Sequence, residues 1–175
     1  MSWLDRVPIR LAAAMLLAAA AGGCFQPLYG DRSLTGGPSV RDAMRDVEVA
    51  AIDGRIGQEV RNDLIFELTG GEGNPVGAPY RVTMTVSSST FYPVIDLSAG
   101  RPSAETVSLD VLYRVEDVAN KKTVLNERAL ARVTIDRSQQ RFARVRAIRD
   151  AENRAAKVAA EQMRSRIAAF LLTRS

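Results

Sequence analysis

The sequence predicts an α+β two-layer sandwich, a four-stranded sheet with two helices in the order βαβββα, behind an export leader. Three observations carry this. Segments after residue 79 alternate apolar and polar residues with the strand period of two. Two other segments repeat apolar residues with a helical period. The first 23 residues have the basic start, apolar run and small-residue end of a signal peptide. Of the 175 residues, 46% are hydrophobic and 25% charged, which suits one globular core.

The elements follow in chain order. Gly30 to Ser39, with Gly36-Gly37-Pro38 and no apolar period, reads as a tether. Val47 to Ile52 reads as a short strand ended by Asp53-Gly54. Ile56, Val60, Leu64 and Leu68 recur every four residues, so the spacing predicts an amphipathic helix over 55–69, stopped by Gly70-Gly71. After the turn-rich Gly73–Pro79, Tyr80, Val82, Met84 and Val86 alternate with polar residues in a half-buried strand. Phe91 to Pro102 reads as a longer loop. Val107, Leu109, Val111, Tyr113 and Val115 mark the next strand, Asn120-Lys121-Lys122 a turn, and 123–135 the last strand. Ala129, Ala131, Val133 and Ile135 share one face of it, with a bulge expected near Asn126-Glu127. One long helix is expected over 141–172. Its apolar stripe, Phe142, Val145, Ile148, Ala151, Ala155, Val158, Met163, Ile167 and Phe170, is expected to pack on the sheet. The resulting division is leader 1–23, lipidated N-terminus and tether 24–44, and a single α+β domain 45–175.

Composition excludes several chemistries. There is no histidine and one cysteine, so no Ser-His-Asp or Cys-His pair can form, and no cluster of imidazole or thiolate metal ligands. No cofactor or metal is expected. A carboxylate pair such as Asp110 with Glu116 would lie about 20 Å apart along one strand, against the roughly 5–9.5 Å a glycosidase uses. The protein is therefore read as a non-enzyme. The net charge is +4, and the segment from Arg137 onward holds ten basic and three acidic residues. Such a tail suits an anionic partner. Nucleic acid is excluded as that partner, because the leader directs the chain out of the cytoplasm and no recognition or base-stacking motif is present.

The leader places the single cysteine. Arg6 and Arg10 precede an apolar run from Leu11 to Ala21, too short for the roughly 20 residues of a membrane span. Ala21-Gly22-Gly23 then leads directly to Cys24. This arrangement resembles the lipobox of bacterial lipoproteins, in which Cys24 becomes the acylated first residue of the mature chain, with Ala21 where leucine is usual. Phe25, in place of Asp, resembles the sorting signal for the outer membrane.

Cys24-Phe25-Gln26-Pro27-Leu28-Tyr29-Gly30 resembles the N-terminus of alphaproteobacterial lipopolysaccharide-assembly lipoproteins, the LptE family. Phe25, Pro27, Leu28, Tyr29 and Gly30 match the family pattern; the glycine after the cysteine is missing, and Gln26 replaces arginine. The resemblance implies a lipid-anchored, non-catalytic protein on the periplasmic side of the outer membrane. It implies a large β-barrel partner of the LptD type, which the protein plugs and helps to assemble, and contact with lipopolysaccharide. The covalent lipid on Cys24 is then its membrane anchor. Basic residues at element ends, Arg101, Lys121, Lys122, Arg137 and Arg141, are candidate contacts for the acidic groups of lipopolysaccharide. The alternative reading keeps the anchor and makes the chain a peripheral subunit or binding module of another envelope complex.

Overall fold

A computed structural model describes residues 39–92, 95–96, 101–137 and 140–174. The leader, Cys24 and the motif Phe25–Gly30 lie outside the described residues. The elements are α1 (Val40–Arg45), β1 (Val47–Val49), α2 (Arg55–Thr69), β2 (Tyr80–Phe91), β3 (Ile95–Asp96), β4 (Arg101–Pro102), β5 (Ala104–Asp117), β6 (Lys122–Asp136) and α3 (Arg141–Arg174). The main sheet has the order β1-β2-β5-β6, with β1 parallel to β2 and the remaining pairs antiparallel. Core residues from α2 and α3 pack on one face of it. The α+β sandwich expected from the pattern is the fold observed.

Before α3, four details differ from expectation. The first strand ends at Val49, short of the expected Ile52. A short helix, α1, precedes the first strand. Its N-cap Ser39 accepts a hydrogen bond from the Asp42 amide at 3.1 Å, and Met44 enters the core. Six residues are too few to show a period. Within Phe91–Pro102, β3 and β4 form a two-residue antiparallel ribbon. The bulge lies at Val124, opposite the Val115/Glu116 step, two residues before its expected place.

Helix α2 has its expected bounds. Gly70 closes it in the left-handed conformation, φ 71°, its amide bonded to the Phe66 carbonyl at 2.8 Å. Gly57 packs closely on Ile52: a Cβ there would stand 3.0 Å from the Ile52 side chain, which would have to give way by a few tenths of an ångström.

Helix α3 corrects the expected stripe. Its buried face is mostly alanine, namely Ala151, Ala155, Ala156, Ala159, Ala160 and Ala168, joined by Met163, Ile167 and Leu171. Val158 is exposed, because it lies about 200° around the helix from Ala156 at 100° per residue. Phe142 and Val145 are exposed because the helix begins beyond the end of the sheet. No described helix is long and apolar enough to cross a membrane.

Both outer strands carry a side-chain amide that imitates a neighbouring strand. On β1, the Val49 amide donates to Asn74 Oδ1 at 2.9 Å while Asn74 Nδ2 donates to the Val49 carbonyl at 3.1 Å. On β6, the Leu130 amide donates to Gln162 Oε1 at 3.3 Å and Gln162 Nε2 donates to the Leu130 carbonyl at 3.2 Å. An unpaired strand edge invites another chain, and these amides occupy it.

Tyr113 fills the centre of the sheet's inner face, but its buried hydroxyl has no hydrogen-bond partner among the described residues. Burial, with a smaller contribution from Glu127, pushes this phenol up to about 12. A raised folded-state value means that its contribution to stability is complete below the unfolded value near pH 10 and is lost as pH rises towards 12. Tyr113→Phe is therefore expected to raise stability at neutral pH by about 1 kcal/mol and to shift alkaline unfolding upward, both read by urea denaturation across pH 7–12.

Candidate functional site

The end of the sheet where β5 begins and β6 finishes is held by a buried carboxylate. Glu105 has the parity of Val107 and Leu109, so its side chain points to the inner face, where it is fully buried. A carboxylate in that position must be paired to remain charged. Arg137 Nε lies 3.0 Å and Arg144 Nε 2.5 Å from Glu105 Oε1. Arg144 also donates to the Tyr92 hydroxyl at 3.1 Å, and the Arg137 guanidinium stands 5.5 Å from the Tyr92 ring centroid. The Glu105 hydrogen bond raises the pKa of Arg144 above its ordinary value. The first turn of α3, the residue after β6 and the start of β5 are thereby tied to one atom, which sets the direction in which α3 leaves the sheet.

Beyond this clamp, the projecting start of α3 lines an open cleft with Arg141, Phe142, Ala143, Val145, Arg146 and Arg149. Phe142 is 87% exposed. Arg141, Arg146 and Arg149 make no ion pair with any described residue. The first turn contains no acidic residue. Of the three arginines, Arg141 alone lies in that turn, where a cation opposes the macrodipole at a cost of about 0.3–1 kcal/mol. Three guanidinium groups next to exposed phenyl and isopropyl groups create a surface matched to a ligand with both anionic and apolar parts. Guanidinium pairs with phosphate in two-point geometry, and Phe142 and Val145 offer contact to acyl chains.

The expected basic residues divide between the two ends of the sheet. Arg101, in the backbone of β4, precedes β5 by three residues and belongs to the clamp end, with Arg137 and Arg141. Arg137 is engaged by Glu105 and Tyr92, whereas Arg141 faces the cleft. Lys121, in the left-handed region at φ 51°, and Lys122 occupy the β5–β6 turn at the opposite end. Fourteen strand residues separate the ends, about 45 Å. The five therefore do not form one surface.

Glu105, Tyr92, Arg144, Phe142, Arg146 and Arg149 complete the clamp and cleft and were not among the expected site residues. Strand parity marks Glu105 as inward, and that signal was present in the sequence. Asp110, considered for a carboxylate pair, binds Arg128, with Nε to Oδ1 at 2.7 Å, and the Arg128 hydrogen bond holds its pKa below the usual carboxylate value. No three His, Cys, Asp or Glu side chains among the described residues are grouped to hold a metal ion.

Removing Glu105 leaves two converging guanidinium groups without their counter-charge. Glu105→Ala is expected to cost about 3 kcal/mol in urea unfolding, with Glu105→Gln intermediate.

Comparison with known proteins adds a family and a set of folds. The family model described as LptE, lipopolysaccharide-assembly, matches residues 44–167. A crystal structure of a Caulobacter crescentus protein described as a candidate lipoprotein aligns at 25% identity and TM-score 0.62, covering 76% of this chain and 96% of that one. A lipoprotein B of Nitrosomonas europaea aligns at 14% identity and TM-score 0.56, covering 71% and 82%. A minor lipoprotein of Acinetobacter baumannii aligns at 12% and 0.52, covering 70% and 88%. These last two speak to the fold alone. No curated protein matches the sequence.

Proposed function

The chain belongs to the LptE lipopolysaccharide-assembly family, and from that premise we propose that it is an outer-membrane lipoprotein, anchored through Cys24, which seats in and assists an LptD-like β-barrel. The family match over residues 44–167 carries this reading. The exposed end of α3 supplies its chemistry. Lipopolysaccharide combines acidic groups with acyl chains, and the cleft combines Arg141, Arg146 and Arg149 with Phe142 and Val145. The role is recognition and positioning; the protein catalyses no reaction and holds no cofactor beyond its covalent lipid.

A two-chain lipid anchor binds membrane stably at about 0.8 kcal/mol per buried methylene, so the folded domain needs no membrane-binding face. Its sheet face opposite the helices is mostly polar, with Thr83, Thr85, Ser87, Asp110, Arg114 and Arg128 directed outward and Leu112 and Leu130 as exposed apolar exceptions. Such a face suits the polar lumen of a large barrel.

Two measurements test the reading. Gentle-detergent purification of the tagged chain from envelopes is expected to yield a near-stoichiometric large β-barrel, with acyl chains on the Cys24 peptide. Recovery of the protein alone, or with a different complex, rejects the partner. In parallel, Arg146→Glu/Arg149→Glu is expected to weaken lipopolysaccharide binding about tenfold without loss of thermal stability, since both side chains are exposed and make no ion pair with a described residue. Lys121→Glu/Lys122→Glu, at the far end, is expected to bind as the parent does. The reverse order would move the lipid site to the β5–β6 turn.

A further inference from the structure

Strand β1 is much shorter than the strand it borders. It pairs only with Tyr80–Val82, whereas β2 continues to Phe91, paired to β5 along its whole length. The outward parity of β2 is fixed by two bonds: the Tyr80 amide donates to the Asp46 carbonyl at 3.3 Å and the Ala50 amide to the Val82 carbonyl at 2.9 Å. Even-numbered residues therefore direct their amides and carbonyls away from β5. Past Val82 these are Met84, Val86, Ser88 and Thr90, and none of them bonds to a described residue on that side.

The contrast with the other edges is informative. Asn74 occupies the edge of β1 and Gln162 that of β6, each with a donor and an acceptor. Along Met84-Thr85-Val86-Ser87-Ser88-Ser89-Thr90-Phe91 there is no such amide, and also no proline, charge or bulge, the usual means of blunting an edge. An eight-residue, uncharged, β-prone edge is a template for strand addition.

We propose that the Met84–Phe91 edge of β2 receives an extended, uncharged segment of the barrel partner as an added strand; this rests on the partner reading above. The geometry limits the occupant. The incoming strand must stop at Val82, where β1 takes over the ladder. The chain's own preceding segment is unsuited, because 25–38 contains Pro27, Gly30, Gly36, Gly37 and Pro38. A second copy paired antiparallel over the full edge would place its own Met84 opposite Phe91 and drive its Tyr92 along the line occupied by β1. The wall of a closed barrel has no free edge to offer, so the donor is a loop or a segment outside the wall.

The test uses the full lipidated chain expressed with its barrel. A photo-crosslinking residue placed at Ser88 or Thr90 is expected to capture the barrel through one contiguous segment; crosslinks scattered over several strands of the barrel wall would instead mean contact with the lumen alone and would overturn the edge assignment. Ser88→Pro removes an outward amide that β5 does not use, and should reduce co-purified barrel about tenfold while leaving the melting temperature of the isolated chain unchanged within a few degrees. If the barrel co-purifies but Ser88 and Thr90 crosslink to nothing, or only to a second copy or to residues 24–38, the edge assignment is overturned and the partner stands. Wild-type recovery of the barrel with Ser88→Pro likewise overturns it. If no barrel co-purifies with the parent chain, the partner reading itself fails and takes the proposal with it.

Discussion

The domain depends on how closely one helix approaches one sheet. Ala151, Ala155, Ala156, Ala159 and Ala160 of α3 are fully buried, and Ala129 and Ala131 face inward from β6. Small side chains on both surfaces shorten the distance between helix axis and sheet, and packed interiors tolerate little added volume. That approach allows Gln162 to reach the backbone of Leu130 and allows Arg164 to meet Glu67 of α2 at 2.7 Å. Arg55 of α2 likewise meets Glu152 and Asn153 of α3. The polar ties do not create the contact; they become possible because alanine has already removed the space between the elements.

Much of this was legible in the chain. Alternation identified β2, β5 and β6, because each buries one face and period two is hard to imitate by chance. Helix α2 was read to its terminal residues, since Gly54 and Gly70-Gly71 bracket a regular four-residue repeat. The failures share a cause. Large apolar residues dominate a visual stripe, so Phe142, Val145 and Val158 were assigned to the core of α3, while the alanines that form most of it looked neutral. Whether a helix has a sheet beneath it is a tertiary fact, and for the first turns of α3 it does not. The clamp was missed differently: Glu105 has inward parity, but its partners come from positions 32 and 39 residues later, a convergence no local pattern contains.

The two ends of the sheet have different characters. At one, a tight β5–β6 turn carries two lysines and little else. At the other, the buried Glu105 holds α3 so that its first turns project with arginines and a phenylalanine uncovered. A structural ion pair and an exposed amphiphilic cleft lie within a few residues of each other, and the first gives the second a fixed orientation. Recognition built on a rigid element loses less entropy on binding than recognition by a loose tail.

Length gives α3 one more property. Thirty-four residues at 1.5 Å each span about 51 Å, and a bilayer with its head groups is about 40–45 Å thick. The described chain begins with α1, which leads into β1; Val47 of β1 pairs with Tyr80, and Tyr80 meets Phe170 towards the C-terminal end of α3, while the arginine cleft lies at the other end. In the proposed setting the helix is a ruler slightly longer than the membrane is thick. A molecule tethered to one leaflet and standing upright in a pore would present its cationic tip at the head-group level of the opposite leaflet without any hinge or stroke. Removing two turns, about 11 Å, would leave a helix of about 40 Å that no longer passes the far head groups, so the length of the helix would be as much a part of the binding site as the residues that line it.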